Sequence, residues 1–297
     1  MGTTDRPRLL RLILTRPHRY RRARAITMSL TLAVLFAVPL TGLARLDLWS
    51  DANWAFFRPV DFAKGLTAVL AAIVGFYVVT FVVNMPAGRM FCGFGCPVGQ
   101  LSRFADAIDA FPGDAARRRR GWLELVGFAL VLSLAVTLWW TAPSTFLAWP
   151  AGAFAVGAVL TVAAAAVLHG RKWRWGFCRG FCPIGLYYSV VETGAPIGID
   201  FDPSGVCTDC GACDTICPVH LTPRTLEAEV PAPGGLAFEG MPGLNHCLHC
   251  AQCVEVCEVV TAKRAGHPAM GLRRLHRKPR RRLVTASVPA SASEPVS

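Results

Sequence analysis

LVGFALVLSLAVTLWWTAPSTFLAWPAGAFAVGAVLTVAAAAVLHG, residues 125–170, runs for forty-six residues without an Asp, Glu, Lys or Arg. About 20 apolar residues cross a bilayer as a helix, so this run is long enough for two. It breaks at Thr141-Ala142-Pro143-Ser144, where proline and turn residues interrupt a helix. Trp139, Trp140 and Trp149 flank the break, as aromatics do at a membrane–water interface. Working outward, Ala25 to Ala44 and Gly65 to Gly88 are also free of formal charge. Four spans are expected, near residues 26–44, 65–84, 122–140 and 151–169. A buried soluble helix would account for one such run, but hardly for four. The first run has a second rival, a cleaved signal peptide, which its basic leader and Gly42-Leu43-Ala44 resemble. The leader is long and the run reaches full span length, so retention is expected.

The whole composition agrees with this. Of 297 residues, 53% are hydrophobic and 17% charged, against about 25% charged in soluble domains. A purely soluble single-core enzyme is excluded, and so is disorder over most of the chain. The net charge of +12, from 31 Lys+Arg against 19 Asp+Glu, is unevenly placed. Residues 1–24 hold eight Arg, the connection between spans two and three holds Arg117 to Arg120, and many more follow residue 170. The other connections hold only Arg45, Arg58 and Lys64. Basic residues beside short spans stay cytoplasmic. A multi-pass protein of the bacterial inner membrane is expected, with both termini and all cysteines cytoplasmic. The basic cluster Arg273 to Arg282 suits anionic lipid, and no nucleic-acid partner is expected. Residues 283–297 read as a disordered tail.

Twelve cysteines in a reducing compartment do not form a disulfide framework. Eight fall in two sets, Cys207-x2-Cys210-x2-Cys213-x3-Cys217-Pro218 and Cys247-x2-Cys250-x2-Cys253-x3-Cys257-Glu258. Three close cysteines wrap three corners of a cubane, and the fourth ligates the other cluster. Two [4Fe-4S] clusters are therefore expected: Cys207, Cys210, Cys213 and Cys257 for the first, Cys247, Cys250, Cys253 and Cys217 for the second. Zinc is the rival, but its common patterns use two separated pairs. Glu258 replaces the usual proline and puts only the local turn in doubt. Gly205, Gly211 and Pro218 suit tight backbone whose N–H groups tune the cluster sulfurs. His246, His249 and His220 read as solvated neighbours, since the cysteine count is already complete.

The other four cysteines form a repeat. Phe91-Cys92-Gly93-Phe94-Gly95-Cys96-Pro97-Val98-Gly99 follows span two, and Phe177-Cys178-Arg179-Gly180-Phe181-Cys182-Pro183-Ile184-Gly185 follows span four. Each copy is two spans and then a CxxxCP motif, which reads as a duplicated hairpin. Residues i and i+4 share a helix face, and Pro97 and Pro183 suit the first turn of a following helix. The two motifs are expected to meet at one membrane surface. Cys92, Cys96, Cys178 and Cys182 then converge on a third metal site, a thiol redox site or a docking point. Small packing residues at helix ends are the bland alternative.

These motifs together resemble the NapH/MauN-type family of membrane ferredoxins, related to the membrane parts of NosR and of the CcoG/RdxA proteins. The resemblance covers roughly residues 20–262. It implies four spans, a C-terminal two-cluster ferredoxin domain, and electron transfer between the quinone pool and a periplasmic respiratory system with protein redox partners, ferredoxin or cytochrome. The fold class is thus membrane α-helical, four transmembrane helices as two duplicated hairpins, plus a C-terminal α+β two-[4Fe-4S] bacterial-ferredoxin-like domain. The expected divisions are a basic arm at 1–24, the membrane domain at 25–190, the ferredoxin domain at 198–265 and a basic, then disordered tail at 266–297.

If quinol is the donor, a proton acceptor is needed near the membrane face. Glu124 and His169 are the candidates, because ionisable residues in spans are functional by default. Both lie at a boundary, where snorkelling to water gives a bland reading. No CxxCH haem motif, P-loop, dinucleotide fingerprint or hydrolytic constellation occurs. A respiratory electron-transfer subunit stands first, ahead of a metal-handling reductase or maturation factor of the CcoG/RdxA type and a NosR-like redox-sensing assembly or regulatory protein.

Overall fold

The structure is a computed structural model and describes residues 6–49, 51–190, 196–226 and 243–274. The expected tail at 283–297 and the basic residues from 275 onward lie outside the described residues. In chain order the elements are α1 (Arg6–Leu14), α2 (Arg19–Thr41), β1 (Ala44–Arg45), β2 (Trp54–Ala55), β3 (Arg58–Pro59), α3 (Phe62–Ala87), α4 (Met90–Phe94), α5 (Pro97–Asp109) and α6 (Ala115–Thr137). There follow α7 (Ala151–Lys172), α8 (Trp175–Gly180), α9 (Pro183–Val190), β4 (Ile197–Phe201), α10 (Ala212–Ile216), α11 (Gly243–His246), α12 (Gln252–Thr261) and β5 (Met270–Arg274).

Helices α2, α3, α6 and α7 are long and apolar enough to cross a membrane. Large apolar side chains along them, such as Leu30, Val79, Leu123 and Leu160, are exposed, as a lipid-facing surface requires. The chain is a multi-pass membrane protein. The helix ends differ from the uncharged runs by several residues. α2 begins at Arg19, inside the basic leader, and α6 begins at Ala115, where Asp114 accepts a hydrogen bond from Arg117 N. A charge-free run marks the lipid-facing stretch, whereas the cap marks the helix.

The two hairpins are packed differently. α6 lies tightly along α7, and α5 lies across both. α2 and α3 scarcely touch, and a long apolar groove opens between them, floored by Leu35, Phe76 and Trp139. At the far end the antiparallel strands β1, β2 and β3 tie the α2–α3 connection. Buried Asp47 joins it to the other hairpin, accepting from Ala142 N (3.1 Å) and Thr145 Oγ1 (2.9 Å).

The near end carries the cysteine-rich unit. β4 pairs antiparallel with β5, from Ile197↔Arg274 to Phe201↔Met270, and α10 packs on α12 beneath them. The sheet carries this unit past residue 265 to Arg274. α1 inserts its apolar side, Leu10 and Ile13, into the core shared by this unit and the membrane domain. The basic arm is therefore a packed element, with Arg6 donating to both carboxylate oxygens of Asp106 on α5 (3.3 and 3.0 Å).

Candidate electron-transfer site

Each set of four cysteines wraps one small cavity. Cys207, Cys210, Cys213 and Cys257 line one. Cys217, Cys247, Cys250 and Cys253 line the other, together with apolar Ile199, Val219 and Leu248. Local backbone explains how. Asp209 and Gly211 in the first set, and His249 and Ala251 in the second, take left-handed φ values of 52, 65, 50 and 61°. These turns aim N–H groups inward: Asp209 N donates to Cys207 Sγ, and His249 N to Cys247 Sγ, both at 3.4 Å. Leu221 N donates to Cys217 Sγ at 3.4 Å. Three of those four positions are non-glycine, where left-handed backbone costs energy and marks a site that holds it in place.

The donor set fits iron–sulfur clusters. Burial pushes the Cys213 thiol up to about 12, with Asp214 adding, and the Cys217 thiol up to about 11, with Cys250 adding. Cys247 and Cys253 are raised as well, by burial first and by their neighbouring thiols second. Such thiols keep their protons unless a metal displaces them. Among the described residues, no three His, Cys, Asp or Glu side chains stand where they could hold a single metal ion. A tetrahedral zinc with bonds of about 2.3 Å draws its thiolates tightly together, whereas a cubane spreads them over its corners.

The two cavities differ in exposure. Cys207 is exposed, and Cys217, Cys247, Cys250 and Cys253 are buried. The buried set lies against the membrane domain. Gly93 packs so closely on the Leu248–Cys250 loop that a Cβ there would stand 2.9 Å from Cys250 N and Cα. Gly88, with φ 58°, lets the His249 ring seat over the end of α3, where a Cβ would be 2.6 Å from Cε1. Arg24 of α2, buried, donates to Cys250 O (2.6 Å) and pairs with buried Glu255. His18 and Arg19 reach Glu258 at 2.7 and 2.6 Å. His246 and His249 are consequently 6% and 2% exposed. The expectation that they are solvated is corrected, because the loop carrying them is the docking surface. His220 is exposed.

The CxxxCP motifs share one local structure. Gly95 N and Cys96 N both donate to Phe91 O, at 2.8 and 3.0 Å; Phe181 N and Cys182 N both donate to Phe177 O, at 3.0 and 2.9 Å. The helix breaks between the cysteines of each motif. Cys92 lies in α4 and Cys96 precedes α5; Cys178 lies in α8 and Cys182 precedes α9. The expectation of a shared i, i+4 face on one helix is corrected: Pro97 and Pro183 each open a new helix. The thiols are brought together: Cys92 and Cys182 lie close enough to act electrostatically on both Cys96 and Cys178. Burial lifts Cys96 to about 11, with Cys92 adding and the N–H groups of Gly99 and Val98 opposing; burial lifts Cys178 to about 12, with Cys96 adding.

Glu124 and His169 are not brought to the groove. Glu124 accepts from Arg120 Nε at 2.9 Å, and the His169 ring stacks edge-on against Phe177 at 5.1 Å. Arg24, Arg89 and Glu255 escaped the sequence reading. Arg89 donates to Cys178 O at 2.7 Å, and its position three residues before Cys92 was the available signal.

Thiol-lined cavities in a domain fastened to four apolar helices define a class, the membrane-embedded iron–sulfur electron-transfer proteins of ferredoxin type. Three relatives named methylamine utilization ferredoxin-type protein MauN agree. The chain is 28% identical to that of Methylorubrum extorquens, over 71% of this chain and 79% of the relative. It is 24% identical to that of Methylobacillus flagellatus, over 66% and 74%. It is 27% identical to that of Paracoccus denitrificans, over 56% and 61%. The resemblance to the NapH/MauN-type family is borne out. No family model matches the chain, and no solved structure does.

Proposed function

We propose that this protein relays electrons between the quinone pool and a respiratory or periplasmic redox system, through two [4Fe-4S] clusters held by the eight ferredoxin-type cysteines. Each cluster, when bound, supplies a one-electron carrier. Cys207, Cys210, Cys213 and Cys257 hold the outer one, and Cys217, Cys247, Cys250 and Cys253 the inner one. The observation that carries the reading is the gradient of exposure. One thiol-lined cavity opens to solvent, where a soluble redox protein docks; the other is sealed against the membrane domain. Beside the sealed one lies the groove between α2 and α3, reaching from Tyr20 and Phe94 to Trp139 and Trp140. Its apolar walls, open to lipid, suit an isoprenoid quinone, and Thr27, Thr31 and Thr80 supply hydroxyls along it. The relatives' name supports methylamine utilisation as one setting.

The test is anaerobic reduction of purified protein by a quinol analogue, followed by bleaching of the iron–sulfur absorption. Gly75 lines the groove, and a Cβ at that position would meet nothing within 4 Å, so Gly75→Leu sends its side chain into the groove from an unobstructed Cβ. Quinol-dependent reduction is expected to slow about tenfold or more, the ~1.4 kcal/mol step per decade, while dithionite reduction is unchanged. Wild-type protein inert to quinol, yet reduced by dithionite, overturns the quinone link. Convergence of the CxxxCP thiols favours a second reading, a metal-handling reductase, which predicts reduction of Cu(II) by the dithionite-reduced protein.

A further inference from the structure

We propose that Cys92, Cys96, Cys178 and Cys182 hold a third iron–sulfur cluster, of the four-iron type, between the inner ferredoxin cluster and the α2–α3 groove. The inference rests on the two-cluster reading above and extends it.

Four observations carry it. First, the four thiols come from two motifs 86 residues apart, and Arg89 joins them by donating to Cys178 O. Second, the two motifs share one turn, Cys96 N donating to Phe91 O and Cys182 N to Phe177 O, so that each presents its pair of cysteines across a helix break in the same way. Third, the surroundings are cationic and short of acceptors. Arg89 is 3% exposed. Its Nε, together with Nε and Nη1 of Arg103, is buried without a hydrogen-bond partner. A buried donor without a partner is costly. Four thiolates around bridging sulfides supply both the acceptors and the negative charge that two guanidinium groups need. Fourth, the place is right for a relay. Gly93, next to Cys92, touches the Leu248–Cys250 loop, while Phe91, Phe94 and Gly95 of the same motif line the groove. A transfer step there moves one electron and no proton: the inner ferredoxin centre is oxidised by one as the third is reduced by one, or the reverse.

Iron and acid-labile sulfide are measured on the full chain, purified anaerobically in detergent. Three four-iron clusters give about 12 Fe per chain, and two give about 8. About 8 Fe overturns the proposal, as does about 8 Fe accompanied by one zinc. The double variant Cys92→Ser/Cys178→Ser is expected to drop to about 8 Fe while keeping the ferredoxin-type EPR signals; retention of about 12 Fe overturns the proposal. If that variant fails to fold, the wild-type iron count with Mössbauer spectroscopy decides. Cys207→Ser/Cys247→Ser tests the underlying two-cluster reading separately, because it removes the ferredoxin signals and leaves the third set intact.

Discussion

Arg24 begins as one of eight arginines in a basic leader and ends buried, between the carbonyl of Cys250 and the carboxylate of Glu255. Removing one member of a buried pair strands the other charge and costs about 3–5 kcal/mol. Arg24→Met is expected to loosen the cysteine-rich unit from the membrane domain, read as faster amide exchange in α12, which carries Glu255. Arg24→Met/Glu255→Met is expected to recover most of that loss; a double variant that exchanges as fast as the single one removes the ion pair from the account. Gly93→Ala forces its new methyl into the Cys250 backbone, and overpacking of this kind costs about 1–3 kcal/mol. A lower thermal midpoint is expected, with Gly176→Ala, which meets nothing within 4 Å, as the unchanged control. The cysteine sets were legible because their ligands are a few residues apart. The Arg24–Glu255 pair was not, since no local pattern links residues so distant in the chain.

At the scale of elements, charge-free runs exposed the four spanning helices, because lipid tolerates little else. They could not expose α1 or α5. Both are amphipathic pieces outside the runs, and both owe their burial to partners supplied by the ferredoxin unit or the second hairpin. The β4–β5 pair was hidden in the same way, its strands separated by the whole cysteine region. Asp202 fastens it. The Ser204 hydroxyl and N–H foremost, then His267 and Arg273, hold its carboxyl well below the usual carboxylate range. A depressed carboxyl contributes stability above its unfolded value of about 3.9 and loses it as pH falls through the folded value. Amide exchange at Leu272 is expected to stay protected at pH 5 in the wild type. Asp202→Asn is expected to be less protected at pH 5, the gap closing only in stronger acid; equal protection of the two at pH 5 removes the Asp202 carboxylate from the account.

Across the whole molecule, sequence repetition suggested two equal hairpins, and the structure makes them unequal. α6 and α7 close on each other; α2 and α3 stand apart and leave the groove. The docked unit meets the first motif through Gly93 and Gly88 and the second through α11 packed on α9. At the position equivalent to Gly93 the second motif has Arg179, so the close backbone approach that Gly93 allows has no counterpart residue there. The inner cysteines carry a consequence for biogenesis. Cys247, Cys250 and Cys253 are enclosed once Arg24 and His249 are seated, so a scaffold protein delivering iron has no route to them afterwards. On the two-cluster reading proposed above, loading of that set would precede closure onto the membrane domain, whereas the set around exposed Cys207 would stay within reach of solvent after folding.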